Sequence, residues 1–295
     1  MIDPVATELE HRRALWAKLV EDGGARGVTP ARLRELGIFG GAQGIWVNKA
    51  RTASVSPDGV TVAVLHTGSS YADDLYDGGV LYHYPTTGRG PGRDASEITA
   101  TKASRELGLP IFVISYPTPG STRRNVDLAW VEDWDDDERL FLITFGAAPP
   151  ALAPSPDPDV TPFQGTADRP KKQAMGTVRT GQHRFKFRVL SRYGAVCAVC
   201  DVGVEALLDA AHIRGYRDRG SDDERNGIVL CALHHRAFDG RLFGIEPGTT
   251  ELRTRAGGPS LEHLRITRSS LTHLVKQPHQ DAVAWRWSAQ GWDAV

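Results

Sequence analysis

Three cysteines and two adjacent histidines fall within 39 residues of the C-terminal half. Their order is Cys197-Ala-Val-Cys200, then thirty residues, then Cys231-Ala-Leu-His234-His235. A CxxC turn presents two sulfurs to one ion, and tetrahedral Zn²⁺ takes thiolate and imidazole ligands. Cys197 and Cys200 form one knuckle, and Cys231 with His234 the other. The spacing predicts a structural Cys₃His zinc site with no cysteine left over. The competing reading is three buried, reduced cysteines, and His235 stands where it could exchange with His234. A reducing cytoplasm is the expected compartment, since a clustered CxxC there favours metal over disulfide.

Between the knuckles lie Asp209-Ala-Ala-His212 and Asn226, with His212 fourteen residues before Asn226 and Asn226 nine before His235. With Ala210-Ala-His-Ile213, Asn226-Gly-Ile-Val-Leu-Cys231 and His234-His-Arg-Ala-Phe-Asp239, the stretch from Arg184 to Ile245 resembles the HNH nuclease family. The resemblance implies a ββα-metal finger, in which a hairpin and a helix clasp one catalytic ion. Phosphodiester hydrolysis needs deprotonated water in line with the leaving oxygen, and stabilisation of the charge that develops. A neutral imidazole near pH 7 suits the base, here His212. A divalent ion such as Mg²⁺ or Mn²⁺ suits the phosphate, with His235 as its ligand. By resemblance, Asn226 braces the loop that holds His212 and takes no chemical part. One position departs from the family. Many HNH members place an acidic or histidine ligand immediately before the base, and here Ala211 stands there. Asp209 lies three residues before His212, on the other side of a regular strand. It is expected to reach the ion only across a bulge or through water. Asp239 is a further candidate.

A second group of residues lies in the N-terminal half. Thr67-Gly-Ser-Ser-Tyr71-Ala-Asp-Asp74 runs into Asp77-Gly78 and then Tyr82-His83-Tyr84. Gly88-Arg89-Gly-Pro-Gly-Arg93-Asp94 follows. Over about Gly44 to Ser115 these resemble the SRA (YDG) domain, a PUA-like curved sheet that flips a modified cytosine out of duplex DNA. A flipped base needs aromatic faces to stack on and an acceptor for its exocyclic amine. Tyr71 is the candidate for one wall, and Asp74 can accept from cytosine N4. Counting from Tyr71, the family's second aromatic falls on His83. Tyr82 and Tyr84 share the opposite face, and a one-residue bulge would bring in either, with Tyr82 preferred. Arg89 and Arg93 sit in a glycine-rich loop suited to phosphates. The plainer reading makes the tyrosines ordinary strand aromatics and the Asp/Gly run a turn.

These residues need elements to hold them. The 295 residues suffice for two domains. Ala147–Pro170 is rich in Pro, Ala and Asp and lacks apolar periodicity, so it reads as an extended linker. The expected division is an SRA-like DNA-reading domain at 1–146, a linker at 147–178 and an HNH domain at 179–295. In the first domain, helices are expected over Val5–Val20 and from Pro30, with Thr29 as N-cap, to Gly37. Asp94-Ala-Ser-Glu97 reads as a capping box opening a helix that ends near Gly108. Strands are expected at Val60–His66, Val80–Tyr84, Ile111–Ser115 and Leu140–Phe145. In the second domain the pattern predicts a helix around Phe185–Tyr193, a strand at Leu207–Ile213 and a helix from Gly227 to Phe238. Trp285, Trp287 and Trp292 are expected to pack a terminal element. The fold class is α+β: a PUA-like/SRA curved sheet followed by a zinc-stabilised ββα-metal domain.

Net charge is −1, which hides an asymmetry. Residues 151–295 carry 20 Lys+Arg against 16 Asp+Glu, whereas residues 1–150 carry 15 against 20. Arg169–Arg192 holds eight basic residues and no acidic one, which suits a polyanion. The acidic run Glu132–Glu138 is expected to be a solvated loop turned away from DNA. No apolar run is long enough for a membrane span, and the charged N-terminus does not read as a signal peptide.

Together these features resemble the type IV, modification-dependent restriction endonucleases. The expected partner is double-stranded DNA containing 5-methyl- or 5-hydroxymethylcytosine, cut by a homodimer. Two alternatives stand beside this: an HNH nuclease that reads an unmodified sequence, another modified base or RNA, and a silent reader of modified DNA.

Overall fold

The computed structural model describes residues 3–41, 44–67, 75–76, 78–86, 92–150, 158–167 and 181–292. The chain divides into two units, Met1–Ala153 and Pro154–Val295.

The first unit opens with helix α1 (Pro4–Glu21), whose N-cap Asp3 accepts from the Val5 amide. Arg12 is its fully buried member. Its guanidinium donates to Glu8 and to the carbonyls of Thr61 and Pro110, each at 2.7 Å. Burial pulls this guanidinium down to about 10, so it stays charged at pH 7 and staples the helix to the sheet. Helix α2 (Pro30–Glu35) has the expected Thr29 cap, whose hydroxyl accepts from Arg32 N. There follow β1 (Gly44–Val47), the short α3 (Lys49–Thr52), β2 (Thr61–His66), β3 (Leu75–Tyr76), β4 (Gly79–His83), α4 (Arg93–Glu106), β5 (Ile111–Ser115), β6 (Asn125–Asp135) and β7 (Leu140–Phe145).

Seven strands form one sheet in the order β1-β2-β5-β6-β7-β4-β3. Only the β2–β5 pair is parallel. Both faces of its centre are buried, which is why β2 and β5 read as unbroken apolar runs. Phe112 and Ile114 pack with Leu15, Leu19 and Leu33 of the first two helices. Ile111 and Val113 pack on the other side with Val80, Tyr84, Phe141 and Ile143. Register shifts in β1 and β6 curl the sheet.

Two expectations for this unit are corrected. The Asp94–Glu97 capping box does not form. Gly92, left-handed at φ +98°, is the N-cap, and Asp94 lies within the first turn, where its charge meets the positive helix end. The acidic run is not simply a loop, since Glu132–Asp135 ends the eleven-residue β6. Across a register shift at Glu132, Val131 and Trp134 pack on the same core and the strand pairs with β7 despite its charge.

The second unit contains α5 (Gln182–Tyr193), β8 (Leu208–His212), β9 (Gly227–Cys231), α6 (Ala232–Asp239), β10 (Gly244–Ile245), β11 (Leu252–Arg253) and α7 (Gln280–Ala289). The expected helix from Gly227 is therefore too long by five residues. Gly227-Ile-Val-Leu-Cys231 is a fully buried strand antiparallel to β8. A short apolar run does not by itself tell strand from helix, and the β-branched pair Ile228-Val229 tips it to strand. Helix α7 binds the unit together through Arg286, which donates to the carbonyls of Ile213 (2.9 Å) and Phe238 (2.6 Å). Trp292 is buried and stacks on Trp287, as expected of a terminal packing element. Segment 158–167 also packs on this unit. Arg225 donates to the Thr161 carbonyl, and Phe163 stacks on His279 at 3.9 Å. Among the described residues, no helix is long and apolar enough to cross a membrane.

Candidate active site

Cys197, Cys200, Cys231 and His234 converge, with one ligand atom of each within 4.8 Å of all the others. Tetrahedral zinc with bonds of about 2.3 Å sets its sulfurs about 3.8 Å apart, so the cluster fits one ion. His234 turns Nδ1 to the Sγ of Cys231 (3.1 Å) and of Cys197 (3.5 Å). Its Nε2 donates to the Leu264 carbonyl at 3.0 Å, which leaves Nδ1 free to ligate. Burial pushes the Cys200 thiol up to about 12, so this group remains a neutral thiol unless a cation draws off its proton. Zinc is the ion this donor set suits. Among the described residues, this is the one group of three or more such ligands.

The cluster sits at one end of the β8–β9 hairpin. Leu208 pairs with Cys231 there, and at the other end His212 pairs with Gly227. The hairpin thus links a zinc knuckle to the expected base. The His212 ring lies flat against Phe185 of α5, with centroids 3.7 Å apart and planes 10° apart. Its Nε2 meets Asp222 Oδ1 at 3.0 Å.

Asn226 is wholly buried. Its Oδ1 accepts from Arg214 N (2.9 Å), and its Nδ2 donates to the carbonyls of Arg214 (3.1 Å) and Ser221 (2.9 Å). One side chain therefore closes the loop after His212 onto the segment before Asp222. The closure is tight, because a Cβ on Gly220 would lie 1.7 Å from the Arg214 carbonyl oxygen.

His235 lies on α6, and its Nδ1 meets Asp209 Oδ2 at 3.0 Å. Its Nε2 lies 3.5 Å from Asp239, one turn along the helix. The hydrogen bond to His235 holds the Asp209 carboxyl below the usual range, although burial opposes it. The β8–β9 register is regular from Leu208 to His212, so Asp209 reaches His235 directly and without a bulge. Two ligands at right angles around an octahedral ion, with bonds of about 2.1 Å, stand about 3 Å apart, so Asp209 and His235 fit such an ion. Among the described residues, no hydrogen bond or ion pair joins His212 to His235.

Tyr71, Asp74 and Arg89 lie outside the described residues. Tyr82 is half-buried against the β4–β7 side of the sheet, with its hydroxyl 3.5 Å from the Leu65 carbonyl. Tyr84 is buried. It packs on Phe141 and donates to Asp136 at 2.9 Å, and burial pushes its phenol well above the usual range. Its ring serves the core. His83 is half-buried and points to the other face of β4. Arg93 is exposed and pairs with Glu97 at 3.5 Å.

Asp222, Phe185 and Arg286 had no signal of their own in the sequence. Each is defined by a contact across many residues.

No curated protein matches the chain significantly. One similar solved structure is a modification-dependent TagI restriction endonuclease, 20% identical, with 90% of this chain and 92% of that chain covered and a TM-score of 0.31. Another is the type IV phosphorothioation-dependent restriction endonuclease ScoMcrA, 12% identical, with 80% of this chain, 59% of that chain and a TM-score of 0.29. The model of the HNH endonuclease family matches residues 197–246, which span both knuckles, the hairpin and α6. That segment is an HNH endonuclease domain.

Proposed function

We propose that the chain is a metal-dependent deoxyribonuclease that reads 5-methyl- or 5-hydroxymethylcytosine in duplex DNA and cuts nearby. The observation that carries the nuclease reading is the β8–β9–α6 unit. It sets His212 on a strand and His235 on the following helix, next to a Cys₃His cluster. His212 takes a proton from water, whose oxygen bonds to phosphorus as the P–O3′ bond breaks. The departing 3′ oxygen then gains a proton from solvent. His235, with Asp209 beside its Nδ1, would hold a divalent ion, which when bound supplies Lewis-acid stabilisation of the phosphate and the leaving oxygen. Asn226 keeps the loop closed. Arg214, Arg217 and Arg219 follow the base directly and suit the DNA backbone, and Arg214 stacks over Trp285 at 4.5 Å.

The reading of modified cytosine rests on the sequence between Gly44 and Ser115. Tyr71 and Tyr82 would wall the flipped base, with His83 as the other candidate, and Asp74 would accept from N4. Arg89 and Arg93 would meet phosphates. The boundaries 1–146, 147–178 and 179–295 belong to the same proposal. A double-strand break needs two active sites or two encounters with one, and the working form proposed is a homodimer.

Methylated and unmethylated copies of one plasmid, incubated with Mg²⁺ or Mn²⁺, test both halves. Only the methylated copy should be cut, and His212→Ala should cut neither. Equal cutting of both would remove the modification reading. Binding without any cutting would leave a silent reader.

A further inference from the structure

Three groups converge on His212 that the proposed chemistry has not used. Phe185 covers one face of the ring at 3.7 Å. Gly227 lies opposite His212 in the hairpin, and a Cβ there would meet Val189 at 2.4 Å and Phe185 at 2.8 Å. The missing side chain is what lets α5 approach closely enough for Phe185 to stack. Asp222 takes the ring edge, with Oδ1 at 3.0 Å from Nε2.

We propose that Asp222 is the positioning residue of the base. An ionised carboxylate only accepts hydrogen bonds. The contact therefore puts the imidazole proton on Nε2 and leaves Nδ1 as the lone pair that takes the proton from water. Asp222 keeps its negative charge throughout and faces the imidazolium that forms, the role of a carboxylate behind a catalytic histidine. It also redefines what Asn226 does. Asn226 holds the Ser221 carbonyl and both backbone groups of Arg214, so it fixes the residue before Asp222 and the second residue after His212. The brace acts on the pair rather than on the histidine alone.

The inference rests on His212 being the base, and the test separates the two. Nitrogen-15 NMR of histidine-labelled, zinc-loaded full-length protein reads the His212 tautomer without any cleavage. Wild type should show Nε2–H. Asp222→Ala should shift the population toward Nδ1–H and lower kcat by about 10- to 100-fold, with KM within twofold. Asp222→Glu should recover part of the loss. An unchanged tautomer with kcat within twofold in Asp222→Ala overturns the proposal. So does a Mn²⁺ affinity weakened tenfold with the tautomer intact, which would make Asp222 a metal ligand. Full activity of His212→Ala would instead overturn the base assignment, and the tautomer measurement would still report on the contact.

Discussion

At the residue scale, the proposed chemistry is divided between two histidines 23 positions apart, and each leans on a carboxylate. His212 has Asp222 on its edge and Phe185 on its face, while His235 has Asp209 and Asp239 at its two nitrogens. His212→Ala should cost about 10²–10⁴ in kcat, the usual worth of a general base. Zinc content should stay at the wild-type value, and loss of the Phe185 stack should lower stability by about 1 kcal/mol at most. Asn226→Ala should behave differently. It strips one backbone donor, Arg214 N–H, and two backbone acceptors, the carbonyls of Arg214 and Ser221, of their partner, and it should lower stability by about 1–3 kcal/mol as well as activity. Thermal melts beside kinetics distinguish the two variants. The motif made His212, Asn226 and His235 legible in the sequence, because fixed spacing along one hairpin and helix is a local property. Asp222 was not legible, because a loop of nine residues returns it to the base, and only the folded loop shows the return.

At the element scale, the hairpin is the working part. One end carries a candidate zinc ligand and the other the proposed base, so folding of the cluster and placement of His212 would be the same event. Removal of zinc by a strong chelator, or Cys200→Ser, should unfold the second unit and leave the first unit's sheet intact. Far-UV circular dichroism and limited proteolysis should show a protected fragment ending before Pro170. The close approach of α5 rests on Gly227. Gly227→Ala places a Cβ into Val189 and Phe185, and should destabilise by about 1–3 kcal/mol. Cleavage should fall more than zinc binding, because Phe185 must leave the His212 face. Helices α1, α2, α4 and α5 are legible from periodicity or caps, with Thr29 the plain case, whereas α3 and α7 are not. Strand β6 escaped because its acidic end disguised the alternation. Strand β9 reads as helix in the sequence because five buried residues carry no period.

At the scale of the whole molecule, the two halves differ in charge, and the proposal divides the labour between them. The basic C-terminal half holds the HNH segment, and the acidic N-terminal half carries a seven-stranded sheet with aromatic residues on β4. Tyr84 is committed to the core, which leaves Tyr82 and His83 on β4 for a base pocket with Tyr71. Tyr71→Ala should erase any preference between modified and unmodified DNA while leaving Mn²⁺ binding and zinc content unchanged. The most direct measurement is a competition in one tube. Two duplexes of identical sequence, one with cytosine and one with 5-methyl- or 5-hydroxymethylcytosine, are distinguished by dye and incubated with the full-length protein and Mn²⁺. The account predicts that the modified duplex disappears at least tenfold faster, and that His212→Ala consumes neither. Equal rates for the two duplexes, or undiminished cutting by His212→Ala, would contradict it.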